Sequence, residues 1–330
     1  MKKILAILCA LTMVFALCAC GQSAAPAAPA AEPAAEADQV FQIGVVQLVQ
    51  HPALDQASKG FMDVLTEKLG DKVSFNYQNG AGDQPSCATI ASQFVSDGVD
   101  LIMANATPAL IAAASATGEI PILGTSITSY PAAFELESWA GRSAAVNVSG
   151  TSDLAPLDEQ AAMVHEFFPD AKTVGILYCS AEANSKFQVE GITPYLEDFG
   201  FTVKEYTFSD SNDVATVAAT AVSECEVLYI PTDNTAASCA EAINNVALPA
   251  GVPIIAGEEG LCAGCGIATF SMNYYELGRT TGEMAYEILV NGADVGSMEI
   301  EYSPTFVKEY NPALCEALNI TVPEGYTALG

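Results

Sequence analysis

One arrangement of residues occurs twice in this chain. Asp100-Leu-Ile-Met-Ala-Asn-Ala-Thr-Pro-Ala-Leu-Ile-Ala-Ala-Ala114 runs from an acidic residue through a short apolar run to Thr, then into an Ala-rich helical stretch. Glu226-Val-Leu-Tyr-Ile-Pro-Thr-Asp-Asn-Thr-Ala-Ala-Ser-Cys-Ala240 does the same. Each is followed by a Pro-led apolar run, Ile120-Pro-Ile-Leu-Gly124 and Val252-Pro-Ile-Ile-Ala256. A buried strand followed by a helix and another strand is the unit of a parallel sheet. Two halves with this element order predict two similar α/β lobes, each a parallel sheet covered by helices on both faces.

The rest of the chain fits that frame. Strands are expected at Phe41–Val49, Val73–Tyr77, Leu101–Ala104, Ile120–Leu123, Thr173–Tyr178, Thr202–Phe208, Val227–Ile230, Pro253–Ala256 and Gly266–Phe270. Helical periodicity marks Leu54–Leu69, Gln84–Ser96, Leu157–Phe168, Ser185–Phe199, Asp233–Val246 and Tyr275–Val290. The chain leaves the first lobe near Asn147–Ser149 and returns around Ser271–Tyr274. Residues 40–147 with 275–330 are therefore expected to form the N-terminal lobe and 148–274 the C-terminal lobe.

Residues 1–39 read differently. Lys2 and Lys3 precede an apolar run from Ile4 to Leu17, too short for a stable membrane anchor. Leu17-Cys-Ala-Cys20 resembles a bacterial lipobox, which implies cleavage after residue 19 and lipidation of Cys20. An ordinary signal peptide with incidental cysteines is the alternative. The Ala/Pro/Glu tract from Gln22 to Asp38 reads as an extended tether. An extracytoplasmic protein, held at the cell membrane by its lipidated N-terminus, is expected.

Charge and chemistry narrow the function. With 11 basic and 40 acidic residues, net charge −29, nucleic acid is not a plausible partner. Gly-x-Ser-x-Gly, Gly-x-x-x-x-Gly-Lys and Gly-x-Gly-x-x-Gly are all absent from the sequence. His165 sits among core-like helix residues. Cys262-Ala-Gly-Cys265 has metal or redox spacing without a second pair to complete a zinc site, and a structural role is open to it as well. Besides the leader cysteines and Cys20, Cys87, Cys179, Cys225, Cys239, Cys262, Cys265 and Cys315 remain, an odd number that cannot all pair. No enzyme, cofactor or metal is expected.

Binding is better provided for. In open α/β sheets ligands gather at strand carboxyl ends, near helix N-termini. Ala106-Thr107-Pro108 starts a helix there, and Thr125 and Ser126 add hydroxyls after the next strand. With so little arginine, helix N-termini are the natural partner for a ligand carboxylate. Thr232-Asp233-Asn234-Thr235 holds more polar groups than one cap needs, and Asp233 suits an ammonium. Glu258 and Glu259 are further acidic candidates. His51-Pro52 precedes a helix and offers flat faces to an aromatic or apolar group. For Thr107, Asp233 and His51 a plain helix-start role stays open.

Four motifs then carry a resemblance: Ile43-Gly-Val-Val-Gln-Leu-Val-Gln-His-Pro-Ala-Leu-Asp55, Ala106-Thr-Pro-Ala109, Pro231-Thr-Asp-Asn-Thr235 and Tyr274-Tyr-Glu-Leu-Gly-Arg-Thr-Thr-Gly-Glu-Met-Ala285. Together, in this order, they resemble the tryptophan/tyrosine-type substrate-binding lipoproteins of ABC transporters, with a type I periplasmic-binding-protein fold. The resemblance implies two lobes joined by three crossovers, closing on one ligand and delivering it to a membrane permease. It places His51 and Pro52 at the ligand's side-chain end and Thr107, Thr125 and Ser126 at its carboxylate. Asp233 would take the ammonium beside Asn234 and Thr235, with Asn184 and Asn273 at the rim or hinge. The loop Gly257–Gly266 is a variant found in part of the family, so the resemblance does not fix a role for Glu258. The expectation is a monomeric, lipid-anchored amino-acid receptor, for an aromatic or large apolar amino acid. A sugar or nucleoside receptor of the same fold and a sensory lipoprotein are the alternatives. The segment Tyr310–Gly330 carries no readable motif.

Overall fold

The computed structural model describes residues 40–140 and 146–330. The leader, Cys20, the tether and Arg142 lie outside the described residues. The first sheet is laid down by β1 (Phe41–Gln47), α1 (Pro52–Leu69), β2 (Val73–Asn79), α2 (Gln84–Asp97), β3 (Leu101–Asn105), α3 (Thr107–Ala116), β4 (Ile122–Ile127), the single turn α4 (Tyr130–Ala133) and β5 (Val148–Ser152). The chain then crosses. The second sheet follows with α5 (Leu157–Phe167), β6 (Thr173–Cys179), α6 (Ala183–Asp198), β7 (Thr202–Phe208), α7 (Val214–Glu224), β8 (Val227–Ile230), α8 (Asn234–Ser238), α9 (Ala240–Ala250), β9 (Ile254–Ala256), α10 (Glu259–Gly264) and β10 (Ala268–Ser271). Next, α11 (Tyr274–Leu289) returns to the first lobe, where β11 (Glu301–Tyr302) pairs with β5. Finally β12 (Val307–Tyr310), α12 (Pro312–Ala317) and β13 (Thr327–Ala328) rejoin the second sheet.

Strand order is β11-β5-β4-β3-β1-β2 in one sheet and β13-β12-β10-β9-β8-β6-β7 in the other. All pairings are parallel except β10 with β12. The central strands β3, β4 and β8 are buried along their whole length. Helices on both faces exclude water from them, which explains their continuous apolar runs.

Sheet membership departs from the expected boundaries in two places. Val148-Ser-Gly-Thr-Ser152 belongs to the first sheet, so the chain leaves that lobe after Ser152. Small hydroxyl residues concealed this strand, because its burial rests on hydrogen bonds rather than apolar bulk. Ser149 Oγ donates to Met298 O, and the Thr151 hydroxyl bonds those of Thr125 and Thr281. The tail is the second departure: β12 and β13 extend the second sheet, while Leu314, Leu318, Ile320 and Val322 pack on that lobe's core. The crossings are therefore three, after β5, β10 and β11. The expected helix Asp233–Val246 is also broken, at Cys239, into α8 and α9.

On its return, α11 lies flat on α1. A Cβ on Gly278 would fall 1.9 Å from Ala57 O, and one on Gly60 2.0 Å from Tyr275 O. The two helices touch backbone to backbone, so α1, which starts at the cleft, and α11, which starts at a crossing, move as one body. Gly278→Ala should cost about 1–3 kcal/mol through forced separation of the pair, read as a lowered thermal midpoint. An unchanged midpoint would show that the helices separate freely.

Candidate ligand-binding cleft

The carboxyl ends of both sheets open on one gap. On the first lobe, His51 stands in extended conformation before Pro52, the first residue of α1. Beneath it, Asn105 Nδ2 donates to Leu54 O and Ser58 Oγ, and Gln47 Nε2 to Asp55. This buried polar mesh fixes where α1 starts. Two backbone outliers follow on neighbouring strands: Ala106 with φ 86° just before α3, and Ser126 with φ 56° near the end of β4. Left-handed geometry at non-glycine residues costs energy and collects at binding sites. No side chain caps α3, and Thr107 at its first position is buried.

The second lobe answers with an acidic knot. Glu182 accepts from Asn184 Nδ2, from the backbone and side-chain amides of Asn234, and from the N–H and hydroxyl of Thr235. Asp233 accepts from Ala236 N at 2.8 Å, Cys179 N at 2.6 Å and Ser185 Oγ at 2.7 Å. Across the gap, His51 Nε2 meets Asn234 Oδ1 at 3.3 Å. The lobes are thus closed on each other, with α1 against α10 and α3 and α4 against α6. Openings of about 340 Å³, beside Pro108, Glu182 and Thr235, and about 190 Å³, beside Pro52, Gly260 and Tyr274, flank the closed region.

Polar atoms remain unsatisfied inside. His51 Nδ1, Ser126 Oγ and Asn184 Oδ1 are buried with no hydrogen-bond partner. Burial holds the His51 imidazole below its ordinary pKa, so the ring is neutral. Since Asn234 gives its amide N–H to Glu182, its Oδ1 faces His51, and Nε2 carries the ring proton. Nδ1 is then a bare acceptor.

The electrostatics point the same way. Glu182, Asp233, Glu258 and Asp153 are all buried. Among the described residues the Lys and Arg ion pairs are elsewhere, on the surface. Burial pushes Glu258 up to about 7 and Asp153 to about 6. Asp233 is raised by burial and by the charge of Glu182. Buried carboxyl groups held by neutral donors and, among the described residues, without a Lys or Arg partner suit a cation.

The structure brings His51 against Asn234 and ties Asn184, Asn234 and Thr235 together through Glu182, while Thr107, Ser126 and Glu258 are buried at strand ends of the two lobes. Thr125 bonds its hydroxyl to that of Thr151 on the neighbouring strand. The three bonds of Asp233 make it the pin between α8, β6 and α6, which accounts for its burial without a ligand. Pro52 and Asn273 are exposed at the rim, where Asn273 caps α11. Glu258 caps α10 through Gly260 N and Leu261 N. Glu182, Asp153 and Tyr274 went unread as site residues. Glu182 follows β6 at the same topological place as the other candidates, and that position was its signal. Cys262 and Cys265 are buried, with burial pushing both thiols up and leaving them poor nucleophiles. Among the described residues no group of three or more His, Cys, Asp and Glu could hold a metal ion.

Residues 42–329 match the model of the family described as ABC transporter substrate binding protein. The chain belongs to that family. This substrate-binding protein is 37% identical over 303 residues to a tyrosine-binding protein of Clostridioides difficile, covering 91% of this chain and 87% of the relative. A domain from Streptococcus pneumonia in complex with L-Trp overlays with TM-score 0.83 at 31% identity, covering 88% of this chain and all (100%) of that one. A ligand-free, open structure of a Clostridium difficile substrate-binding protein with adhesive properties is 37% identical and overlays at TM-score 0.66, covering 88% of this chain and 99% of that one. The fold is the type I periplasmic-binding-protein fold, and the substrate-binding protein is a carrier for an ABC transporter rather than an enzyme. Members of this family work outside the cytoplasm, with a membrane permease as partner.

Two outcomes follow for the free protein. Asp233→Ala would leave three donors unpaired and should cost about 2 kcal/mol or more, seen as a drop in thermal midpoint without ligand. An unchanged midpoint would return Asp233 to the ligand. Glu258 and Asp153 bind protons more tightly folded than unfolded, so their contribution to stability is full below about pH 4 and is lost as pH rises through about 7. The ligand-free midpoint should therefore fall from about pH 5 to about pH 8, and Glu258→Gln should flatten that slope. A slope unaffected by the substitution would exclude Glu258 as its source.

Proposed function

We propose that this substrate-binding protein is the receptor of an importer for an aromatic amino acid whose ring carries a hydrogen-bond donor. The observation that carries this reading is His51 Nδ1, a buried acceptor without a partner beside the interlobe contact. Tyrosine brings a phenol O–H and tryptophan an indole N–H to such an atom; phenylalanine brings neither. Relatives that bind tyrosine and L-Trp support the same class. The ligand carboxylate sits at the uncapped N-terminus of α3, with Thr107 and the Ser126 hydroxyl, and Thr125 backs that wall. Its ammonium faces the buried acidic groups, Glu258 among them. Asn184, Asn234 and Thr235, fixed by Glu182 and Asp233, form the opposite wall, while Pro52 and Asn273 frame the rim.

Around that site, residues 1–19 act as a lipoprotein signal, lipidated Cys20 anchors the chain to the membrane, and the Ala/Pro-rich tether lets a monomeric body reach its permease. No helix among the described residues is long and apolar enough to cross a membrane.

The test is a thermal-shift series on the domain from about residue 40 onward. A ligand binding only the folded state adds about 2.7 kcal/mol at a hundredfold excess over Kd. Tyrosine or tryptophan should raise the midpoint well above phenylalanine, and His51→Leu should abolish that preference. Shifts with sugars or nucleosides alone would overturn the assignment.

A further inference from the structure

Resting on the amino-acid reading above, we propose that the ligand's ammonium is gripped from the hinge, by Asp153 together with Glu258, with Tyr274 as positioning residue. Asp153 is the first residue after β5 and so opens the first crossing; Tyr274 opens α11 immediately after the second. Tyr274 Oη donates to Asp153 Oδ2 at 3.0 Å and Thr128 Oγ1 to Oδ1 at 3.1 Å. Asp153 and Tyr274 are buried, at 3% and 4% exposure. Each Asp153 oxygen has one of these side-chain donors, so acceptor capacity is left over. Among the described residues Glu258 likewise accepts only the two N–H groups of its own cap. Glu182, by contrast, is filled by the protein's own donors, two or more on each oxygen, and Asp233 has three, two of them on Oδ2.

Position supports the same assignment. Asp153 N donates to Ile127 O, and Ser152 is the strand partner of Ile127. Ser126, 5% exposed as a residue and with its buried hydroxyl unpartnered, is therefore the neighbour of the residue that Asp153 touches. Adjacent strands lie about 4.8 Å apart, the scale on which one α-carbon can direct its carboxylate to one strand end and its ammonium to the next. On the far side, a Cβ at Gly260 would sit 3.1 and 3.2 Å from the Glu258 oxygens and 3.4 Å from Pro52 Cβ. The Glu258 carboxylate is thus at the lobe interface. The charge of Asp153 is felt at Glu258, and Tyr274 feels both carboxyl groups. One cation between them neutralises a carboxylate on the second lobe and one on a crossing strand at once.

The experiment compares each aromatic amino acid with its des-amino analogue, tyrosine against hydroxyphenylpropionate and tryptophan against indolepropionate, by calorimetric titration. Wild type should favour the amino acid. Asp153→Asn should cut amino-acid affinity by roughly 30-fold or more while leaving the analogue's affinity unchanged, collapsing the ratio. Equal weakening of both ligands would make Asp153 a hinge tie only and overturn the proposal. Should Asp153→Asn not fold, Asp153→Glu keeps the charge and moves it by one methylene. It should lower the amino acid's affinity alone, and an equal effect on both ligands overturns the proposal again. A wild type that binds the aromatic pairs without distinguishing amino acid from analogue removes the ammonium site but leaves the aromatic receptor standing. A wild type that binds neither overturns both.

Discussion

Glu182 accepts five hydrogen bonds, from Asn184, Asn234 and Thr235, with no lysine or arginine paired to it among the described residues. A carboxylate in that position is held in place by donors alone, and the donors are held by it. The amide of Asn234 can point only one way once its N–H belongs to Glu182. Its oxygen then faces the other lobe and sets the tautomer of His51, and the tautomer leaves Nδ1 as an acceptor. A preference for ring-borne donors thus traces back, through two side chains, to a buried charge that never touches the ligand in this scheme. Low local dielectric makes such a network stiff when satisfied and costly when broken.

The first lobe reaches the same precision by different means. There the constraint is backbone geometry: left-handed φ at Ala106 and Ser126, an uncapped helix start, and a polar mesh under α1. The backbone contact at Gly60 and Gly278 then carries the position of α1 into α11, whose first residue, Tyr274, holds Asp153. Cleft and hinge are one mechanical assembly.

Much of this was legible in the sequence, for definite reasons. Parallel strands buried on both faces must be apolar runs, so Leu101–Ala104 and Val227–Ile230 declared themselves, and the repeated strand-helix-strand unit gave two lobes. Polar residues at helix starts marked Thr107 and Asn234 as candidates, and the hydroxyl pair after Gly124 marked Ser126. What escaped was stabilised by something other than apolar pattern. β5 carries three hydroxyl residues bonded to distant backbone and hydroxyl groups; β12 and β13 are short additions at one end of the sheet. Asp233 could be read as a cap or as a ligand group because both share the same sequence context, and its bonds to Cys179 N and Ser185, which tie α8 to β6 and α6, could not be read there at all. Glu182 and Asp153 were hidden by composition, since with 40 acidic residues no single one stands out.

Closure is where these facts meet energetically. Glu258 and Asp153 are buried with the lobes in contact, and Pro52 closes on the Gly260 loop beside Glu258. Closing without a cation either protonates them or strands charge in a poor dielectric. Closing over an ammonium removes that cost and strengthens the attraction in the same step. A ligand shifts an equilibrium only by the difference in its affinity for the two states, and here the difference has a physical source: the ammonium gains most where the protein alone would lose most. An uncharged mimic that fills the same volume gains none of this, so the open form should persist in its presence even when it binds.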